Sequence, residues 1–138
     1  MNEEIIVDAE GAVAGRLASF VAKRALLGYK VYVINSEKAI IIGSQEKVLE
    51  KYLGRRRLGR GVQKGPKFPS RAEMILRRII RGMLPWKKTR GREAFKRIKC
   101  FLGVPDEFKN REVVKISSKE VKTKYISLAE LSNLIRQK

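Results

Sequence analysis

The sequence predicts an α/β fold in which parallel strands are joined through helices. An apolar run at residues 5–7, an amphipathic pattern at residues 13–27 and a β-rich run at residues 31–34 follow one another directly. A strand, a helix and a strand within about thirty residues form a βαβ unit, which implies parallel strands and a right-handed crossover. The chain of 138 residues is expected to form a single α/β domain, residues 1–138.

The first half of the chain supplies this unit, a further strand and a second helix. The run at residues 5–7 suits a strand that is buried on both faces. Gly28 follows the amphipathic segment and predicts the end of its helix, because glycine adopts the left-handed conformation that closes many helices. A third apolar run at residues 40–42 predicts a strand, and Ser44 predicts the cap of a second helix.

A basic arm is predicted next, at residues 54–69. This segment combines arginine runs with glycines and prolines and holds few apolar residues. We therefore expect an extended arm with little core of its own. The arm and the helices after it form a basic region at about residues 54–99.

Ser70 and Glu73 predict a third helix through a capping box, in which the serine accepts a hydrogen bond from an end N–H and the glutamate reaches back. The helix is expected to run to about Met83, since Pro85 disfavours helical backbone at the residue before it. Helical spacing separates an arginine side from an apolar side that is expected to pack. The arginine side holds Arg71, Arg77, Arg78 and Arg81, and the packing side holds Met74, Ile75, Ile79 and Met83.

Three further elements are predicted in the last third of the chain. A short helix is expected at residues 92–102, stopped by Gly103. The apolar character of residues 113–116 predicts a strand. A second capping box, formed by Ser127 and Glu130, predicts the final helix.

Charge is distributed unevenly along the chain. The 32 Lys and Arg against 14 Asp and Glu give a net charge of +18. Residues 55–99 hold 17 basic and two acidic residues, a net of +15, and the remainder has a net of +3. Such an excess repels itself in a compact state, so a polyanionic partner is expected, with nucleic acid first and an anionic membrane surface second.

Catalytic and metal chemistry find little support in the sequence. The chain has no histidine, so the commonest general base is absent, and a single cysteine without histidine cannot form a zinc site. Cys100 is interpreted as a small buried side chain. The loop at residues 11–16 lacks the spacing and the lysine of a nucleoside-triphosphate loop. No catalytic residue, no metal and no cofactor are therefore predicted.

The N-terminus is acidic, unlike a secretory signal or a transit peptide. The longest apolar runs are only a few residues, too short for a membrane span. We expect a soluble intracellular protein without a membrane partner.

The arginine side of the third helix favours RNA contact over a solvated charged face. A solvated face normally mixes signs, and guanidinium groups bind phosphate bidentately and stack on bases. Trp86, the one tryptophan, lies among basic residues. It could stack on a base or pin the arm to the core, and the second role is slightly favoured.

Several longer runs resemble a known family. They are the runs at residues 65–70, 75–87 (with RGMLPWK) and 90–94, together with the segments at residues 7–9, 15–18 and 33–37. Over roughly residues 5–105 the chain is similar to the large-subunit ribosomal protein thirteen family. Its arginine-rich arm resembles the archaeal and eukaryotic branch, and residues 106–138 match nothing that can be placed firmly.

The resemblance implies a three-layer α/β/α fold around a small, mainly parallel four-stranded sheet. It also implies a non-enzymatic structural constituent of the large ribosomal subunit, located in the cytoplasm, that binds large-subunit ribosomal RNA during assembly beside neighbouring ribosomal proteins. No small-molecule substrate is expected. Together with the charge pattern it predicts the following RNA-binding residues: Arg16, Arg55, Arg56, Arg57, Arg60, Lys64, Lys67, Arg71, Arg77, Arg78, Arg81, Lys87, Lys88, Arg90 and Arg92.

Three alternatives stay open at this point. A stand-alone nucleic-acid-binding protein would show little preference for ribosomal RNA over duplex DNA. A small nucleotide-dependent enzyme is suggested only by the βαβ start and its glycine loop. A peripheral membrane protein would use the basic helix as an amphipathic anchor, although the extended Gly-Arg arm fits RNA better.

Overall fold

The computed structural model describes residues 3–57, 69–116 and 123–137, with the side chains of 55–57 and 137 left undescribed. The elements follow in chain order: β1 Glu4–Asp8, α1 Ala14–Leu26, β2 Lys30–Ile34, β3 Ile40–Ile42, α2 Gln45–Arg57, α3 Ala72–Arg81, α4 Thr89–Lys96, β4 Ile98–Cys100, β5 Val114–Lys115, β6 Tyr125–Ser127 and α5 Leu128–Gln137, with 3₁₀ helices at Ser36–Lys38 and Asp106–Phe108.

A four-stranded parallel sheet in the order β4-β2-β1-β5 forms the centre of the fold. β1 pairs with β2 from Glu4↔Lys30 to Asp8↔Ile34, so the predicted βαβ unit is confirmed. Gly28 has a φ of 106° and follows α1 as expected, because this left-handed backbone is strained for a residue with a Cβ. The α/β class and the parallel sheet of four strands are thereby confirmed.

The helices pack on one face of this sheet. Val7, Val31 and Val33 point into the main core, which also contains buried residues of all five helices. Alternate residues face the other way, and there Ile6 and Ile34 pack with Phe108 of the second 3₁₀ helix. Within the described residues, the 3₁₀ helix Asp106–Phe108 covers this second face, and Tyr32, Phe101 and Val113 pack around it.

One strand of the sheet comes from a segment that was predicted as helix. Residues 92–102 were expected to form one short helix, but α4 begins and ends earlier, and Ile98–Cys100 form β4. The isolated pattern is ambiguous because Ile98 and Cys100 alternate with Lys99. Pairing with the free edge of β2, through Val31↔Ile98, satisfies the backbone groups of this segment in the strand form.

The third predicted strand lies outside the main sheet. β3 pairs in the antiparallel direction with β6, which forms a separate two-stranded sheet. The amide of Ile40 donates to the carbonyl of Ala12 at 2.9 Å, which ties this small sheet to the start of α1. The predicted strand near residues 113–116 is confirmed as β5, beside β1.

The capping predictions had mixed outcomes. Ser44 and Ser127 both accept hydrogen bonds from helix amides, at 3.4 and 3.2 Å, as predicted. The prediction of a capping box at Ser70 is wrong, because the N-cap residue of α3 is Arg71, whose side chain makes no capping hydrogen bond. Glu73 is instead buried beside Arg71, with 2.9 Å between Oε1 and Nε. The charge of Arg71 offers this carboxylate a stronger partner than a serine amide does.

Helix ends also differ from the predicted ones. α3 ends at Arg81 and not at Met83. α2 continues to Arg57, so residues 54–57 are helical and do not belong to an extended arm. Gly54 is compatible with this helix because propensity costs of about 1 kcal/mol are routinely overridden by packing. The rest of the predicted arm, residues 58–68, lies outside the described residues.

We expect Gly91→Ala to destabilise the fold by roughly 1–3 kcal/mol, the usual cost of overpacking. A Cβ at Gly91 would overlap the carbonyl oxygen of Pro85, and backbone atoms cannot move aside cheaply. Urea unfolding would measure the loss. Gly15→Ala is the matched control, since its Cβ would meet nothing within 4 Å. Equal stability of the two variants would contradict the close approach.

Candidate nucleic-acid interface

The orientation of α3 decides which of its side chains face solvent. Ile75, Leu76 and Ile80 are fully buried in the main core. Met74 and Met83, predicted to pack, are 40% and 45% exposed. Met74 lies on the arginine side of the helix, and Met83 follows the helix end. The packing side therefore turns toward Leu76, which is not among the residues of the predicted packing side.

Arg77 has a different environment from the other arginines of α3. Its Nε donates to the carbonyl of Ile98 at 3.3 Å, and its Nη2 donates to the carbonyl of Phe95 at 3.4 Å. Its guanidinium also lies 4.0 Å from the centroid of the Phe95 ring. These contacts join α3 to the turn between α4 and β4. Although predicted to bind RNA, Arg77 thus has a structural role within the domain.

Arg81 lies one turn farther along α3 and contacts an aromatic ring. Its guanidinium carbon is 4.2 Å from the centroid of Trp86. Trp86 in turn meets Phe95 edge-on, with centroids 5.2 Å apart and planes at 86°. Trp86 is 37% exposed, so it packs against Arg81 and Phe95 and keeps part of its ring at the surface.

Hydrogen bonds fix the loop that carries Trp86. The Trp86 amide donates to the carbonyl of Leu84 at 2.8 Å, and the Lys88 amide donates to the carbonyl of Pro85 at 2.9 Å. Arg92 Nε donates to the Trp86 carbonyl at 3.1 Å. The loop between α3 and α4 is therefore held in place before any ligand binds.

The remaining predicted residues divide into described and undescribed ones. Arg16 is exposed in the first turn of α1, and Lys87, Lys88 and Arg90 are exposed at the loop and at α4. Arg71 pairs with Glu73, and Arg78 is partly buried at the end of α3. The side chains of Arg55, Arg56 and Arg57, and the whole of Arg60, Lys64 and Lys67, lie outside the described residues.

We call the surface formed by Arg78, Arg81, Lys87, Lys88, Arg90 and Arg92 the basic face. α3, the loop and α4 are joined there through the contacts of Arg77, Arg81 and Arg92. Two carboxylates lie in this part of the sequence. Glu73 is buried against Arg71, which leaves Glu93 as the exposed one. The basic face therefore presents a strongly positive field to solvent.

A groove of about 410 Å³ borders the basic face. It lies between the start of α1, strand β3 and the end of α3, with Gly15, Ile42 and Met83 among its lining residues. Lys51 and Arg78 are the charged side chains that line it. The groove thus connects the surface near Arg16 with the basic face.

Phe95 is the residue of this surface that sequence reasoning missed. It lies between Arg77 and Trp86 and orders both side chains. The sequence offered one signal for Phe95: an aromatic residue four positions after Gly91, near a helix start and among several arginines. That signal is weak, because contacts between α3 and α4 cannot be derived from spacing within either helix.

The described part of the chain offers little for a reactive thiol, a metal site or a membrane span. Burial raises the pKa of the Cys100 thiol to about 12, so the residue is an inert, partly buried side chain that packs against the core. No group of three or more potential metal ligands occurs among the described residues. Across residues 3–57, 69–116 and 123–137, none of the helices has the length and apolar character to span a membrane.

The fold and the surface define a small α/β protein with a preorganised basic face. The family model for ribosomal protein L13 matches residues 2–107. The chain belongs to the ribosomal protein L13 family, as its resemblance predicted. Because this is a family of structural proteins, the expectation that the chain is not an enzyme is confirmed.

Archaeal relatives extend this similarity to nearly the whole chain. The large ribosomal subunit protein uL13 of Archaeoglobus fulgidus is 46% identical over 136 residues, which covers 94% of this chain and 86% of the relative. The protein of the same name from Methanocaldococcus jannaschii is 48% identical over 130 residues, covering 92% and 93%. That of Methanosarcina barkeri is 44% identical over 138 residues, covering 96% and 98%. The similarity therefore includes most of residues 106–138, which the sequence resemblance did not place.

We expect Arg77→Ala to lower the free energy of unfolding by about 2–4 kcal/mol. The change removes two hydrogen bonds from a charged donor and a cation–π contact. Arg81→Ala should cost about 1 kcal/mol or less, because it removes a single partly exposed cation–π contact. Urea unfolding of both variants tests this difference, and an equal effect would mean that Arg77 does not anchor the domain.

Proposed function

We propose that this protein is a structural constituent of the large ribosomal subunit that binds large-subunit ribosomal RNA and helps it fold during assembly. Its place of action is the ribosome in the cytoplasm. Its partners are the RNA and neighbouring large-subunit proteins, with no small-molecule substrate and no membrane. The observation that carries this proposal is the basic face in a chain of the ribosomal protein L13 family.

The positions of the charges support this function. Lys87, Lys88 and Arg90 are exposed side by side on an ordered loop and helix start. They can neutralise phosphates of RNA segments that fold close together, without a cost for ordering the loop. Residues 55–99 carry a net charge of +15 and include most of the predicted arm. The arm therefore adds positive charge next to the basic face in the sequence.

Selectivity for ribosomal RNA is expected to come mainly from RNA shape. The deep major groove of an RNA helix is closed to side chains, so a rigid surface recognises the positions of phosphates and unpaired bases. The basic face has the required rigidity, since Arg77 and Arg92 fix its elements through backbone carbonyls.

The first experiment is crosslinking in cells of the native source, with sequencing of the attached RNA and mapping of the attached peptides. Large-subunit ribosomal RNA at one or a few sites, joined to residues 55–99, is the expected result. Scattered messenger or transfer RNA, or mostly DNA, would replace the proposal with the stand-alone nucleic-acid-binding protein.

A salt titration with two charge-matched variants tests the basic face itself. Changing Lys87, Lys88 and Arg90 to Ala should reduce the slope of log K against log salt by roughly two to three, since each phosphate contact contributes about 0.7–0.9. The control changes Lys30, Lys47 and Lys124, exposed elsewhere, to Ala with the same loss of charge. Identical slopes for both variants would show that only net charge matters.

A further inference from the structure

Arg81 has an unusual combination of order and unused binding capacity. Its guanidinium lies over the Trp86 ring at 4.2 Å. In the described part of the chain, no carbonyl or carboxylate accepts a hydrogen bond from it, whereas Arg77, on the same helix, uses two of its nitrogens for such bonds. A planar guanidinium on an aromatic ring has a second face and in-plane N–H groups, and those of Arg81 have no acceptor within these residues.

We infer that Arg81 and Trp86 form a stacking platform for one unpaired nucleobase of RNA. The base stacks on the platform, and the in-plane N–H groups of Arg81 donate to the adjoining phosphate. Arginine planes and aromatic rings are the common partners of unstacked RNA bases. This inference rests on the proposed function, and it adds a specific ligand, an unpaired base, to a surface so far described by charge alone.

The surroundings of the platform favour a base with its phosphates over another ligand. Lys87 and Lys88 follow Trp86 directly and are exposed, so they lie where phosphates on either side of a stacked base need neutralising. Of the two carboxylates in this part of the sequence, Glu73 is buried and paired with Arg71, and Glu93 is exposed on α4. The acidic side chains of a protein partner would pair with the positive charges, but they would not stack on the planar surface.

The platform is formed before the base arrives. Phe95 supports Trp86 from one side at a centroid distance of 5.2 Å, and Arg77 fixes Phe95 in turn. The Trp86 backbone is held through its amide and through its carbonyl, which accepts from Arg92. Stacking therefore costs little conformational entropy, because the side chains are already ordered.

Trp86 is the only tryptophan of the chain, so its fluorescence reports on the platform directly. The full-length protein is titrated with an oligoadenylate and with a blunt RNA duplex of the same number of phosphates. Anisotropy of a label on the RNA measures binding independently. We expect the oligoadenylate to quench most of the tryptophan emission on binding, and the duplex to bind with little change in emission.

Two lysine variants separate stacking from charge. Arg81→Lys keeps the charge but loses the plane, so affinity for the oligoadenylate should fall roughly five- to 150-fold, the range for one stacked base, with little change for the duplex. Arg24→Lys is the matched control, because Arg24 also lies over a ring, that of Phe20 at 5.0 Å, outside the basic face. It should leave both affinities unchanged.

The outcomes distinguish this inference from the proposed function. Binding of the oligoadenylate without quenching, equal quenching by the duplex, or equal behaviour of the two lysine variants would overturn the platform and leave RNA binding intact. An absence of binding to either RNA in the anisotropy measurement would overturn both.

Discussion

The contacts of one partly buried guanidinium determine how the basic face is assembled. Arg77 joins α3 to the carbonyls of Phe95 and Ile98, which end α4 and begin β4. It thereby connects two segments with a high density of like charge, which would otherwise repel one another. The close approach of Gly91 to Pro85 lets α4 lie against the loop. These two contacts help to hold the charged segments of α3, the loop and α4 on one surface.

The arginines of α3 consequently serve different purposes although they look alike in sequence. Arg71 neutralises a buried carboxylate, and Arg77 satisfies backbone carbonyls. Within the described residues, the N–H groups of Arg81 have no acceptor, and its guanidinium lies over the Trp86 ring. A count of positive charges therefore says little about how each arginine is used within the domain.

The fold places these contacts on one side of an asymmetric sheet. The helices and the main core occupy one face, and within the described residues the other face is covered by the cluster around Phe108. A sheet of short strands packed chiefly on one side needs its helices to be held firmly. The basic face is built from those same helices, so its geometry depends directly on the stability of the core.

The amino-acid sequence was enough to predict the βαβ start, the end of α1 at Gly28, two of the serine caps and the concentration of charge, because these depend on local spacing and composition. It also determined the family through its longer motifs. That Ile98 and Cys100 form a sheet strand could not be predicted from local pattern, because pairing with the free edge of β2 selects that form. The roles of Glu73, Arg77 and Arg81 likewise depend on tertiary contacts. Each role is set by the carbonyl, carboxylate or aromatic ring that another segment brings within reach.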